Sequence, residues 1–148
     1  MSEPSSVMQP TDAVFQAERE GFEQPAAADA PFRKQQVVYG EVDGRELPAT
    51  LYLPRETPTT PMPAMVYLHG GGWKGGSRGH FARHAAFLAT RGWAGLCVTY
   101  RLSGEARWPA CIQDAKCAVR WLRANADELD VDPDRIGAAG GSAGGHLA

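Results

Sequence analysis

The stretch Arg135-Ile-Gly-Ala-Ala-Gly-Gly-Ser-Ala-Gly-Gly-His-Leu-Ala148 decides the fold class of this 148-residue chain. Its first part, Arg135–Ala139, is a short apolar run that predicts a buried strand, and Ala143–Ala148 can start a helix. Between them, Gly140–Gly144 matches the pattern G-x-S-x-G. A strand, a sharp turn and a helix are the context that this pattern requires when its serine is a nucleophile. A glycine-rich turn with an incidental serine is the alternative that this stretch leaves open.

The glycines on either side of Ser142 have a physical role in such a turn. The strand and helix backbones approach each other closely, so there is no space for a side chain two positions before or after the serine. Gly140 and Gly144 occupy those two positions. The strained turn then holds the serine hydroxyl clear of the sheet, next to the positive end of a helix.

A second glycine-rich segment, His69-Gly-Gly-Gly-Trp73, follows the apolar run Ala64–Leu68. Three consecutive glycines allow the chain to fold back and point N–H groups into a concave space. Such donors stabilise the negative charge of a tetrahedral acyl-transfer intermediate. A flexible linker and a phosphate-binding loop are the alternatives. The phosphate-binding alternative is weak, because neither a Lys-Ser/Thr pair nor a G-x-G-x-x-G helix start follows.

The rest of the chain predicts an α/β fold in which an antiparallel hairpin leads into a parallel sheet with crossover helices. Asp43-Gly44 between alternating segments predicts the hairpin. The predicted elements are strands at Gln36–Gly40, Ala49–Leu53, Ala64–Leu68, Trp93–Thr99 and Arg135–Ala139, and helices at Phe81–Arg91 and from Pro109 onward. Both glycine-rich segments follow parallel strands, and ligands bind at the carboxyl ends of such strands.

Composition excludes several classes of function. The net charge of −2 offers no basic surface for nucleic acid. No apolar run reaches the roughly 20 residues that span a bilayer, and the N-terminus lacks signal-peptide features, so we expect no membrane association and a cytoplasmic location.

Residues 1–34 are predicted to be an extension and a candidate for disorder, with a short helix at Ala13–Glu20. Residues 35–148 form the domain, and its three cysteines are expected to be buried free thiols.

Five segments together resemble one family, the α/β-hydrolase esterases of the hormone-sensitive-lipase and acetyl-esterase (acetylxylan-esterase-like) group. The resemblance covers about residues 36–148 and follows the order of the family's motifs. The segments are His69–Trp73, Tyr100-Arg-Leu102, Trp108-Pro-Ala110 with Asp114 and Trp121-Leu122, Asp132–Ile136 and Gly140–Ala148. Tyr100–Leu102 is interpreted as structural.

The resemblance implies that Ser142 is a nucleophile and that the amides of Gly71, Gly72 and Ala143 form an oxyanion hole. The remaining motif residues that would support this site are His69, Gly70, Trp73, Gly140 and Gly144. The implied substrate is a small-molecule or carbohydrate ester, carrying a short acyl or acetyl group, and no cofactor or metal is expected. Ser103-Gly104-Glu105 departs from the family's usual segment and favours the carbohydrate-esterase-like branch. Arylformamidases and peptidases of the same fold remain alternatives.

A serine triad in this fold runs in the order serine, acid, histidine, and only six residues follow Ser142. His146 lies one helical turn beyond the serine, so it is interpreted as structural rather than as the base. Asp114 precedes the serine, and a structural hydrogen bond is expected for it. His80 and His84 share a helix face without the glutamate of a zinc motif.

We therefore expect a partial domain, truncated after the nucleophile turn, that lacks the triad acid and base. Further strands are expected beside Arg135–Ala139, which would otherwise be an exposed apolar edge. A non-catalytic fragment is the alternative to an active hydrolase, and the sequence does not indicate an oligomeric state.

Overall fold

The computed structural model describes residues 21–148, which form one five-stranded sheet with helices on both faces. The helix predicted at Ala13–Glu20 lies outside these residues. The elements are β1 (Phe32–Val42), β2 (Arg45–Pro54), β3 (Met62–Leu68), a 3-10 turn (Arg78–Phe81), α1 (Ala82–Ala89), β4 (Ala94–Val98), α2 (Ala110–Ala124), α3 (Ala126–Leu129), β5 (Val131–Gly140) and α4 (Ala143–Leu147).

The strands lie in the order β1-β2-β4-β3-β5. β1 pairs antiparallel with β2, and β2 pairs antiparallel with β4. β3 lies between β4 and β5 and is parallel to both. The predicted class, a hairpin leading into a parallel sheet with crossover helices, is confirmed.

The hairpin turn has the backbone that its sequence predicts. Val42 pairs with Arg45, so only Asp43 and Gly44 form the loop. Their φ angles are 51° and 78°. Two successive positive φ values are typical of the type I′ turn, whose twist matches that of the flanking strands, and Asp-Gly tolerates them well.

Successive side chains of each strand point to opposite faces of the sheet, so the core is divided between the two faces. On one face, Leu47 of β2 and Leu96 of β4 belong to the same buried cluster as Leu122 of α2. The other face packs against α1, where Tyr52 and Tyr67 lie against the helix's buried alanines. Because those alanines are small, α1 approaches the sheet closely enough that a Cβ on Gly95 of β4 would lie 3.0 Å from the Cβ of Ala85.

Residues 21–34 differ from the predicted extension, because they pack against the sheet. β1 begins at Phe32, and both Ala30 and Phe32 are buried. Arg55 donates hydrogen bonds to the carbonyls of Ala28 and Ala30. Ala30 and Phe32 are buried by residues distant in sequence, which periodicity within the segment does not indicate.

β5 is longer than predicted and begins at Val131 instead of Arg135. Val131 pairs with Met62, and pairing resumes only at Ala64 and Ile136. The intervening polar segment bulges out of the ladder, where a carboxylate oxygen of Asp132 accepts the Asp134 N–H at 3.0 Å.

No helix within residues 21–148 is both long enough and apolar enough to cross a bilayer.

Candidate active site

The turn between β5 and α4 has a strained backbone at Ser142. The φ and ψ angles of Ser142 are 53° and −118°, a combination that costs an L-residue free energy and is concentrated at functional sites. Two backbone hydrogen bonds hold the turn: Gly144 N–H donates to Gly141 O at 2.9 Å, and His146 N–H donates to Ser142 O at 3.1 Å. The side chain of Ser142 is exposed. A serine hydroxyl is thus held in solvent by a rigid turn.

Close backbone packing explains the two glycines that flank the serine. A Cβ on Gly140 would lie 2.2 Å from the carbonyl carbon of Gly144. A Cβ on Gly144 would lie 1.9 Å from the carbonyl oxygen of Leu68, at the end of β3. The expected lack of space two positions before and after Ser142 is therefore confirmed.

The glycine-rich loop after β3 is folded back on itself. Gly71 and Gly72 have φ angles of 130° and 62°. The N–H groups of Lys74 and Gly75 both donate to Gly71 O at 3.1 Å. This close turn leaves no space for a side chain on Gly71, because its Cβ would lie 2.2 Å from Gly75 O.

The two glycine-rich segments meet at the carboxyl ends of β3 and β5. A Cβ on Gly70 would lie 3.0 Å from Gly141 O and 3.5 Å from the Cβ of Ser142. Within residues 21–148, the N–H groups of Gly71, Gly72 and Ala143 donate no hydrogen bond. The structure thus places three N–H groups on the two loops that meet beside the exposed hydroxyl.

His69 fixes the start of the glycine-rich loop from inside the protein. Its ring is 1% exposed and stacks on Tyr100, with ring centroids 4.4 Å apart. Nδ1 donates to Gly70 O at 2.8 Å, which assigns the proton to Nδ1 because a carbonyl can only accept. The Tyr100 hydroxyl in turn donates to His69 O at 2.6 Å. Burial lowers the pKa of His69, so its imidazole stays neutral near pH 7.

The segment Tyr100–Leu102 is held by Asp114, as expected for a structural hydrogen bond. The Asp114 carboxylate is 2% exposed and accepts hydrogen bonds from the Arg101 guanidinium, the shortest at 2.7 Å. It also accepts the Arg101 N–H at 2.9 Å. The structural interpretation of Asp114 is confirmed.

The other three histidines lie on three helical elements: His80 on the 3-10 turn, His84 on α1 and His146 on α4. His80 Nδ1 accepts the Gly70 N–H at 3.4 Å and therefore contacts the glycine-rich loop. No group of three His, Cys, Asp or Glu side chains within residues 21–148 is arranged to hold a metal ion. His146 lies on α4, where its ring contacts the rings of Trp73 and Trp108.

Cys97 and Cys111 are buried and Cys117 is half-buried, all three as free thiols. The prediction of free thiols is confirmed, and burial is confirmed for the first two.

A cleft beside His146 was not predicted from the sequence. It encloses about 430 Å³, within the range of about 300–1,000 Å³ that is usual for small-molecule sites. Its lining residues are Trp73, Arg101, Ser103, Ala106, Trp108, Cys111 and His146. They come from three segments that are distant in sequence, so no local pattern connects them; the nearest signal is a pair of tryptophans that each follow a predicted strand.

Comparison with known proteins identifies the family. The model of the family described as BD-FAE matches residues 50–148, and the chain belongs to that family. Esterase LipC of Mycobacterium tuberculosis is 38% identical over 117 residues, which cover 78% of this chain and 28% of LipC. Ethyl acetate hydrolase of Pseudomonas putida is 39% identical over 108 residues, covering 72% of this chain and 34% of that enzyme.

Solved structures agree with this assignment. Esterase 2 of Thermogutta terrifontis, with propionate bound, superposes with a TM-score of 0.72 at 40% identity, covering 76% of this chain and 43% of that one. The resemblance to α/β-hydrolase esterases is confirmed. The chain spans about a third of the length of the curated relatives and less than half of the solved one.

Proposed function

We propose that this chain is the nucleophile-bearing part of a serine carboxylic-ester hydrolase. The observation that carries the proposal is the contact between two loops: strained, exposed Ser142 lies at the glycine-rich loop, beside N–H groups that have no partner within residues 21–148. The names of the relatives support ester hydrolysis, since they include an esterase and an ethyl acetate hydrolase.

In the proposed reaction, Ser142 Oγ attacks the ester carbonyl and loses its proton to a base. The carbonyl oxygen becomes an oxyanion that accepts hydrogen bonds from the N–H groups of Gly71, Gly72 and Ala143. Collapse of this intermediate breaks the bond to the alcohol, which leaves with a proton, and water then hydrolyses the acyl-serine. Preorganised donors stabilise the transition state because they need no reorientation as charge develops.

We propose that the base and acid are not among residues 21–148. His69 is buried and uses Nδ1 to hold Gly70 O. Asp114 is occupied by Arg101. His146 is on the same short helix that Ser142 precedes, with its ring between two indoles. These two groups would belong to the part of the relatives that this chain does not span.

The substrate proposed is a small ester with a short acyl group, and a carbohydrate acetate is one such ester. Support for the short acyl group comes from the name of the ethyl acetate hydrolase, and support for the carbohydrate comes only from the departure at Ser103–Glu105.

Hydrolysis of 4-nitrophenyl acetate in the presence and absence of imidazole tests the proposal. With no internal base, we expect weak turnover by the purified chain, and added imidazole should accelerate it beyond the imidazole reaction in buffer. Ser142→Ala should abolish this excess, whereas Ser103→Ala should retain it. Equal rates for the wild type and Ser142→Ala at every imidazole concentration would refute the assignment of Ser142 as the nucleophile. If the chain without added imidazole shows a Ser142-dependent rate that is typical of enzymes, the proposal that the base lies outside residues 21–148 is refuted.

A further inference from the structure

The Gly70 residue is held by two imidazole rings, one at each of its backbone polar groups. His69 Nδ1 donates to Gly70 O at 2.8 Å, and the Gly70 N–H donates to His80 Nδ1 at 3.4 Å. Gly70 immediately precedes Gly71 and Gly72, whose N–H groups are two of the candidate oxyanion donors. The position of those donors therefore depends on how the two imidazoles hold Gly70.

The two hydrogen bonds make opposite demands on their imidazoles. His69 donates from Nδ1, and an imidazole with a second proton still donates from that nitrogen. His80 accepts at Nδ1, so its neutral ring carries the proton on Nε2. A doubly protonated ring donates from both nitrogens and accepts at neither. Only the hydrogen bond to His80 is therefore lost when its imidazole gains a proton.

His80 also lies beside the turn that carries Ser142. A Cβ on Gly141 would lie 3.9 Å from His80 Cε1 and 3.5 Å from Phe81 Cζ. The His80 ring stacks on the Phe81 ring, with centroids 4.7 Å apart and an interplanar angle of 8°. Phe81 in turn stacks on Tyr67 of β3, with centroids 5.7 Å apart. His80 thus contacts both loops of the candidate site, and its ring is supported from the sheet.

The 3-10 turn that carries His80 is anchored by contacts of its own. The Arg78 guanidinium donates to Thr50 Oγ1 at 3.2 Å and to Thr99 Oγ1 at 3.1 Å. It also forms an ion pair with Glu23 at 2.9 Å, and its side chain is only 12% exposed. These contacts fix the turn to β2 and to the end of β4. Because the turn is fixed by other residues, His80 can hold the glycine-rich loop in place.

A cleft of about 480 Å³ makes the His80 ring accessible to solvent protons. The titratable groups around the ring are His69 on the glycine-rich loop and Arg83 and His84 on α1. None of the cleft's lining residues, all within residues 21–148, carries a carboxylate that would pair with a charged imidazole. The lining residues are Gly76, Ser77, Gly79, His80, Arg83 and His84.

We propose that His80 is a positioning residue: its neutral imidazole holds Gly70, and its protonation releases the loop that carries the Gly71 and Gly72 N–H groups. Ester hydrolysis then weakens at acidic pH through the oxyanion hole, separately from any titration of the base. This effect on hydrolysis rests on the function proposed above, whereas the hydrogen bond to Gly70 does not.

The Gly70 amide signal in ¹H–¹⁵N NMR of the 148-residue chain tests the hydrogen bond without any reaction. Between about pH 8 and pH 5, where imidazoles titrate, we expect this signal to shift with the same midpoint as the His80 ring protons. His80→Asn places an amide oxygen near the position of Nδ1 and removes the titration, so the Gly70 signal should no longer follow the pH.

His84→Asn is the matched control, because it removes the neighbouring imidazole of the same cleft and leaves His80 in place. The Gly70 signal should still titrate in this variant. Two results would overturn the proposal: a Gly70 signal that does not change with pH in the wild type, or one that titrates equally in His80→Asn.

The imidazole-assisted assay with 4-nitrophenyl acetate measures the consequence for hydrolysis. At about pH 8, His80→Ala should lower the Ser142-dependent rate about tenfold, since small misplacements of catalytic groups have effects of this size or larger, while His80→Asn should retain the rate. Dividing the wild-type rate by the His80→Asn rate cancels the titration of the added imidazole. This ratio should fall as the pH is lowered to about 5.5, where the wild-type His80 is protonated.

Equal losses in His80→Ala and His80→Asn, or a ratio that is constant with pH, would overturn the effect on hydrolysis. If no Ser142-dependent rate is found at any pH, the proposed function fails, and the NMR titration still decides the role of His80.

Discussion

The carboxyl ends of β3 and β5 and the free side of β5 are adjacent, yet they are built differently. At the carboxyl ends, the loops contact one another so closely that Gly70, Gly140 and Gly144 have little or no space for a Cβ. Along its free side, β5 has no strand partner within residues 21–148, and Ala138 is exposed. The contacts that hold Ser142 therefore come from its own turn and from β3 and its loop, and none of them comes from the free side of β5.

Substitution of Gly144 should break the closely packed region most severely. In Gly144→Ala the new Cβ would lie 1.9 Å from Leu68 O, so the α4 backbone must move away from β3. We expect a loss of more than about 4 kcal/mol in the free energy of unfolding, measured by urea denaturation.

The matched control is Gly75→Ala, where a Cβ meets open space. This change should alter stability by no more than about 0.5–1 kcal/mol. Equal losses in the two variants would show that the contact between α4 and β3 does not hold the turn.

Asp114→Asn should have the next largest effect, because it leaves the Arg101 guanidinium half-buried without its anionic partner. Removal of one member of such a pair typically costs about 3–5 kcal/mol. Thermal and urea unfolding measure the loss. Asp132→Asn, which removes an exposed ion pair with Arg135, is the control and should change stability far less. A neutral effect of Asp114→Asn would contradict the structural role of this carboxylate.

The free side of β5 should promote the association of one chain with another. β1, at the opposite side of the sheet, carries Arg33 and Lys34 and a register shift near Val38, all features that discourage edge pairing. The Ile136–Gly140 segment has no charged residue. We expect concentration-dependent association in sedimentation velocity, reduced by Ala138→Lys and unchanged by Val38→Lys, since Val38 is 46% exposed on β1. A larger effect of Val38→Lys would assign the association to β1.

The smallest expected effect is a pH dependence from His69. Burial lowers its pKa below the ordinary value of 6.5 in the folded state, so the unfolded chain binds the proton more tightly. The contribution of neutral His69 to the free energy of unfolding is therefore fully present above about pH 6.5, and it decreases as the pH falls through that value. His84, whose pKa is lowered by burial and by Arg83 and His80, contributes in the same direction.

Urea midpoints between about pH 7.5 and pH 5 measure this dependence. The slope should decrease in His69→Gln and, to a lesser extent, in His84→Gln. A midpoint that rises as the pH falls through this range would contradict the assignment of a neutral, buried His69.

The sequence predicted the parts of the fold that depend on local patterns. Ala64–Leu68 is continuously apolar because it is buried between two strands, and Asp43-Gly44 tolerates the positive φ angles of its turn. Gly140 and Gly144 were recognisable because a side chain at either position would collide with backbone. The roles of Ser142 and of the three amides remain predictions.

The parts that sequence reasoning missed depend on contacts between distant segments. The packing of Ala30 and Phe32 needs a sheet and α1 to pack against, and residues 21–34 carry no periodic pattern of their own. The cleft beside His146 is lined by residues 73, 108 and 146, which the order of the strands brings to one edge of the sheet. His146 was interpreted as structural from its spacing alone, because its neighbouring indoles are 73 and 38 residues away in the chain.

The serine that reacts with an organophosphate identifies the nucleophile of the chain. The chain is incubated with paraoxon, with and without imidazole as an external base, and the modified peptide is identified by mass spectrometry. We expect a diethyl phosphate adduct on Ser142 that forms faster with imidazole and is absent in Ser142→Ala. An adduct on another serine, or equal labelling of the wild type and Ser142→Ala, would contradict the assignment of Ser142 as the nucleophile.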